Sequence, residues 1–171
     1  MILAHQSDQT RCDVVPYAQW LRDNHYRAVV VDLGGDWTGI LAATVRAMRE
    51  RGAASVQLLG ASMGGCVSMI VGSQVAPPVS SVVSLGGERN LGGGLDADAA
   101  VARSHVPLFV VTSENDGYLT GDEARALIAE SASKDKHSLI LPGDLHGFAM
   151  LDGPDGQRVR QAILDFLTKH A

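Results

Sequence analysis

Six short apolar runs, alternating with stretches of helical periodicity, constrain this chain more than any other feature. The runs are Met1–Ala4, Tyr26–Leu33, Ser55–Leu59, Val79–Leu85, Pro107–Thr112 and His137–Leu141. They are rich in Val, Leu and Ile and end in turn-forming residues, as buried strands do. Between and after them, five segments carry apolar residues at helical spacing: Pro16–Asn24, Ile40–Arg51, Gly64–Gln74, Asp122–Ser133 and Gln157–His170. Pro16 suits a first helical position and Gly52 a helix stop. A shorter helix is expected around Asp96–Arg103, inside a Gly-rich connection. Strand–helix alternation of this kind predicts an α/β fold. It is a three-layer sandwich with a mostly parallel sheet of about six strands, in one domain over 1–171.

The bulk properties exclude several classes of partner. The net charge is −5, with both signs dispersed and no basic run. This argues against nucleic acid or an anionic membrane surface. No apolar run approaches membrane-spanning length, and the first residues lack a charged leader with a long apolar core, so a cytoplasmic location is expected. Cys12 and Cys66 match no zinc or redox spacing and read as reduced, partly buried thiols. No metal or other cofactor is implied.

In open parallel sheets chemistry gathers at the carboxyl ends of the strands. The third run leads into Gly60-Ala61-Ser62-Met63-Gly64, a G-x-S-x-G pattern between a strand and a helix. A serine on so sharp a turn is strained, and its hydroxyl is lifted to the top of the sheet. Asp116 follows the fifth run and His146 the sixth, so the three share one rim in the order nucleophile, acid, histidine. Ser62 is the candidate nucleophile, His146 the base and acid, and Asp116 the group that orients the imidazole. Glu114 and Asp144 are rival acids. Of six histidines, only His5 and His146 fall at a strand's carboxyl end, and only His146 follows the aspartate. The amide of Met63 is a natural oxyanion donor. A second should come from His5-Gln6-Ser7-Asp8, with the Ser7 amide favoured over Gln6.

These segments resemble the α/β-hydrolase superfamily, bacterial serine-esterase type. The resemblance is carried by Leu3-Ala4-His5-Gln6-Ser7, Val31-Asp32-Leu33-Gly34-Gly35-Asp36, Gly60-Ala61-Ser62-Met63-Gly64-Gly65, Ser113-Glu114-Asn115-Asp116 and Pro142-Gly143-Asp144-Leu145-His146-Gly147. It spans nearly the whole chain. It implies a triad of Ser62, Asp116 and His146, oxyanion amides at Ser7 and Met63, and a small-molecule acyl substrate. The chain departs from the family pattern at Gln6, where Gly is usual after the first-loop histidine, and at Ser113, where Gly is usual in the acid turn.

The family core carries two further strands before the one read at Met1–Ala4. Without them the strand at 27–32 becomes an edge. An apolar edge invites pairing, so a second chain or a terminal segment is expected to cover it. The connection Gly86–Ser104 is too short for a substantial lid, and the open site suits small, soluble esters. The leading expectation is therefore a serine hydrolase of carboxylic esters. Alternatives are a thioesterase, amidase or small peptidase on the same residues, or a non-catalytic scaffold. A nucleotide-binding domain is disfavoured by the lack of G-x-G-x-x-G and of a Walker-type lysine.

Overall fold

The computed structural model of the protein describes Met1–Ala171. Its main sheet has six parallel strands: β1 (Ile2–Ala4), β2 (Val29–Val31), β3 (Gln57–Ala61), β4 (Ser81–Leu85), β7 (Leu108–Ser113) and β8 (Lys136–Leu141). Their order is β2-β1-β3-β4-β7-β8. A separate antiparallel hairpin, β5 (Asn90–Gly92) and β6 (Leu95–Asp96), precedes the short helix α4 (Ala97–Val101).

Helices cover both faces, because successive side chains of a strand point to opposite sides. On one side Ile2, Ala4, Leu58, Val82, Leu108 and Val110 pack with α2 (Trp37–Glu50), α3 (Met63–Gln74) and α5 (Gly121–Glu130). On the other, Leu3, Leu59, Val83, Phe109 and Val111 pack with α1 (Arg11–Asp23), α6 (Ala149–Asp152) and α7 (Gly156–Lys169). Strands buried on both faces explain the continuous apolar runs of the sequence. Helix α3 is buried from Met63 through Gly72 and is apolar on every side, as a central helix must be.

Three features differ from the sequence-based expectation. Helix α1 begins at Arg11, so Pro16 lies inside it rather than at its start. A capping box decides this: Thr10 and Asp13 satisfy each other's orphan amides, and the Thr10 amide reaches Asp13 Oδ2 at 2.8 Å. Strand β2 contributes three residues to the sheet rather than the long run expected at 27–32. It is the edge strand, with Val29 and Val30 half-buried and Val31 buried beneath the helices. The hairpin β5–β6 and the four-residue α6 were not legible as elements.

Cys12 is exposed and Cys66 buried, so only the second fits the expected packing role. Burial, reinforced by the negative fields of Glu88 and Asp96, pushes the Cys66 thiol up to about 12. No helix is long and apolar enough to cross a membrane.

Two outcomes are expected. Gly60→Ala places a Cβ 2.1 Å from the Gly64 carbonyl oxygen and 2.6 Å from Ser68 Oγ. The clash should cost about 3 kcal/mol, read as a lower urea midpoint at unchanged slope. A disulfide reagent at pH 8 should titrate Cys12 alone in the folded protein and both thiols in denaturant. Two reactive thiols in the native state would contradict the buried placement of Cys66.

Candidate active site

Ser62 sits between the last residue of β3 and the first of α3, at φ 50° and ψ −120°. It is one of only two non-glycine residues with positive φ, a conformation that costs of order 1–3 kcal/mol unless the surroundings enforce it. The enforcement is visible. The Ser62 amide donates to the Leu85 carbonyl at 2.9 Å, while its own carbonyl accepts from the amides of Gly65 and Cys66. A Cβ on Gly64 would lie 2.5 Å from the Ala4 carbonyl oxygen, and one on Gly65 would lie 2.7 Å from Ser84 Oγ. The glycines thus let α3 start in contact with the ends of β1 and β4. Met63 opens that helix, so its amide has no intrahelical acceptor.

Asp116 and His146 meet across the carboxyl ends of β7 and β8. Nδ1 of His146 lies 2.9 and 2.8 Å from the two carboxylate oxygens of Asp116. Facing a carboxylate, Nδ1 carries the proton, and Nε2 is left with its lone pair. The Asp116 side chain is fully buried. It also accepts from the amides of Tyr118 (2.9 Å) and Leu119 (3.4 Å) and from Thr112 Oγ1 (3.2 Å). These donors offset the desolvation of a buried carboxylate. Gly86, at φ 57°, makes room for the pair: a Cβ there would lie 2.8 Å from Asp116 Oδ2 and 2.9 Å from His146 Nδ1. The Tyr118 ring lies over the imidazole, with centroids 4.5 Å apart.

The loop that carries His146 is tied down from three sides. Gln6 Oε1 accepts from the Phe148 amide at 3.2 Å. Ser113 Oγ donates to the Leu145 carbonyl at 2.7 Å. Phe148 stacks on Tyr17 of α1 at 4.4 Å, and the Tyr17 hydroxyl donates to Asp152 Oδ2 at 2.6 Å. Burial, then the Asp152 contact, raise the Tyr17 phenol above its ordinary range. Gln6 and Ser113 are the two positions at which the sequence departs from the motifs it resembles. In this chain Gln6 Oε1 and Ser113 Oγ both bond the histidine loop, while Gln6 Nε2 donates to Asp8.

Neither rival acid is hydrogen-bonded to His146, whose Nδ1 faces Asp116 alone. Glu114 is exposed and paired with Arg125 at 2.9 Å. Asp144 is exposed and makes no side-chain hydrogen bond or ion pair. His5 is buried, but both of its ring nitrogens serve the backbone: Nε2 accepts from the Leu33 amide at 2.9 Å, and Nδ1 faces the Gln6 carbonyl at 2.8 Å. It pins the end of β2 to the end of β1. Ser7 is exposed in the turn after β1.

The structure does not join Ser62 to His146. The Ser62 hydroxyl donates to Glu88 Oε1 at 3.3 Å, and His146 Nε2 is buried with no hydrogen-bond partner. The two residues are still neighbours through their flanks, since a Cβ on Gly147 would lie 3.6 Å from the Ala61 Cβ. Glu88 is the site residue that sequence reasoning missed. It stands two residues beyond Gly86, and only the path of the chain after β4 brings it to the Ser62 hydroxyl. A cleft of about 930 Å³ lies at the opposite, amino ends of the strands, lined by residues such as Met1, Tyr26, Ala28 and Ser55. None of the rim residues lines it. No cluster of His, Cys, Asp and Glu is arranged to hold a metal ion.

No protein-family model matches the sequence, and no curated protein matches it. Solved structures do. A monoacylglycerol lipase from Paleococcus ferrophilus superposes with a TM-score of 0.83 at 13% identity, over 99% of this chain and 94% of that one. An esterase from Pyrococcus furiosus gives 0.85 at 13% identity, over 99% and 82%. A hydrolase of the α/β superfamily from Xanthomonas campestris gives 0.74 at 20% identity, over 98% and 97%. At such identities the likeness speaks to the fold, which is the α/β-hydrolase fold.

Replacing Gln6 by Ala removes the acceptor for the Phe148 amide. That amide should lose protection in hydrogen exchange, with a global cost of about 1 kcal/mol. Unchanged protection would mean the first loop does not restrain the histidine loop.

Proposed function

We propose that this α/β-hydrolase-fold chain is a serine hydrolase of small carboxylic esters, acting through an acyl-enzyme on Ser62. The observation that carries the reading is a strained serine at the β3–α3 turn, on the same rim as a buried aspartate paired with a half-buried histidine whose outer nitrogen is unpartnered. The structural neighbours named as esterases and lipases support the same class.

In this reading Nε2 of His146 takes the Ser62 proton as Oγ bonds to the ester carbonyl carbon. Attack requires the hydroxyl to leave Glu88 for Nε2. Asp116 holds the imidazole in the Nδ1–H tautomer and stabilises the imidazolium. The Met63 amide, freed by its place at the start of α3, and the Ser7 amide receive the developing oxyanion. His146 then returns the proton to the departing alcohol. Water, deprotonated by the same imidazole, releases the acid and restores Ser62. The connection after β4 is spent on a hairpin and a short helix whose Leu91 and Leu95 pack against the core. That connection builds no separate lid domain, which favours small, soluble acyl groups.

A second reading, a catalytically silent scaffold, draws on the Ser62–Glu88 hydrogen bond, which occupies the hydroxyl. A fluorophosphonate probe separates the two. Labelling at Ser62 that disappears in His146→Ala is expected; folded protein that takes no label is a scaffold. Asp116→Asn should lower kcat/KM for ethyl acetate by about 10³–10⁴-fold, since the imidazole loses its orienting anion. A panel of matched esters, thioesters and amides then ranks the leaving-group classes. An amide turned over faster than the ester would replace the esterase reading by an amidase.

A further inference from the structure

We infer that Glu88 is a specificity determinant that selects acyl groups carrying a protonated amine beside the scissile carbonyl, such as α-amino acid esters. The inference rests on the hydrolase reading above and names its substrate class.

The geometry is short-range. Glu88 Oε1 lies 3.3 Å from Ser62 Oγ, the atom that would meet the carbonyl carbon. A group held by this carboxylate is therefore one or two bonds from the reacting centre, where an α-ammonium sits. The carboxylate also lacks a partner of its own. Its sole hydrogen bond is the one from Ser62, and no lysine, arginine or histidine lies within ion-pair distance. The neighbouring Arg89 does not help, because it is committed to Asp98 at 2.7 Å and Glu130 at 3.0 Å.

The surrounding charges point the same way. Glu88, Asp96 and Asp98 all act on the buried Cys66, one turn into α3, as a negative field. Of the three, Asp98 has its cation in Arg89, whereas Glu88 has none within ion-pair distance. Half-buried, with a serine hydroxyl as its sole partner, this carboxylate has acceptor capacity to spare, and a substrate ammonium would fill it. Such an ion pair fixes the register of the acyl group, with the carbonyl at Ser62 and the leaving alcohol toward His146. It also disfavours anionic acyl groups by like-charge repulsion. Tyr118, exposed and lying over His146, offers an aromatic face on the same rim. No covalent step beyond acyl transfer is added: the ammonium keeps its protons throughout.

The test compares three ethyl esters at pH 6.5, where an α-ammonium is protonated. They are ethyl alaninate, ethyl propanoate and monoethyl methylmalonate, which place an ammonium, a hydrogen and a carboxylate at the same carbon. Wild-type kcat/KM should favour the alaninate over the propanoate by about 10-fold or more, with the malonate slowest. In Glu88→Gln the alaninate-to-propanoate ratio should fall toward one, and in Glu88→Lys the malonate should overtake the alaninate. Fluorophosphonate labelling of Ser62 in each variant verifies that the site is assembled. A wild-type ratio near one, or a ratio unmoved in Glu88→Gln, with Ser62 still labelled, overturns the ammonium assignment and leaves the hydrolase reading standing. Absence of labelling in the wild-type protein overturns both.

Discussion

The rim is governed by one constraint, the distance at which α3 begins from the strands beneath it. Gly60, Gly64 and Gly65 let backbone approach backbone where any side chain would collide with a carbonyl or a buried hydroxyl. That approach fixes the β3–α3 turn, and the turn holds Ser62 in a conformation it would not choose alone. The strain is balanced by ordinary hydrogen bonds: the Ser62 amide to Leu85, and its carbonyl to two amides of α3. The same short approach presents the positive end of a buried, twelve-residue helix to the space above the serine.

A second set of contacts aligns the acid–histidine pair with that turn. Asp116 is buried but saturated by two backbone amides, a threonine hydroxyl and the imidazole, so an anion can persist there without a counter-cation. The histidine loop is longer and lies on the surface, and it needs external restraint. Gln6, Ser113 and the Tyr17–Phe148 stack supply it from three different elements. These ties run from the first loop, the fifth strand of the sheet and the first helix. The position of His146 is therefore a property of the whole domain rather than of its own loop.

Much of this was legible from local pattern. The strand at 57–61, the turn at Ser62 and the helix beyond it follow from a β-type apolar run, two glycines at fixed offsets and an apolar helical stretch. Asp116 and His146 were legible because parallel strands bring their carboxyl ends to one rim. The start of α1 departs from the proline signal, because the Thr10–Asp13 capping box sets the first turn ahead of Pro16. Strand β2 is shorter than its apolar run, because the chain between helices is apolar well beyond the three residues that enter the ladder. The hairpin at 90–96 leaves little trace in hydropathy, being two and three residues long and mostly polar or glycine.

The sequence alone determined the layer order, the parallel sheet and the identity of the three residues at its rim. Each of these depends on periodicity or on turn chemistry within a few residues. Only the tertiary structure decided where the serine hydroxyl points and which anion it meets. It alone gave Gln6 and Ser113 their use, as clamps on the histidine loop. The physical reason is that a hydrogen bond between residues 62 and 88, or 6 and 148, depends on how whole elements are stacked. No local rule of propensity or spacing encodes that stacking.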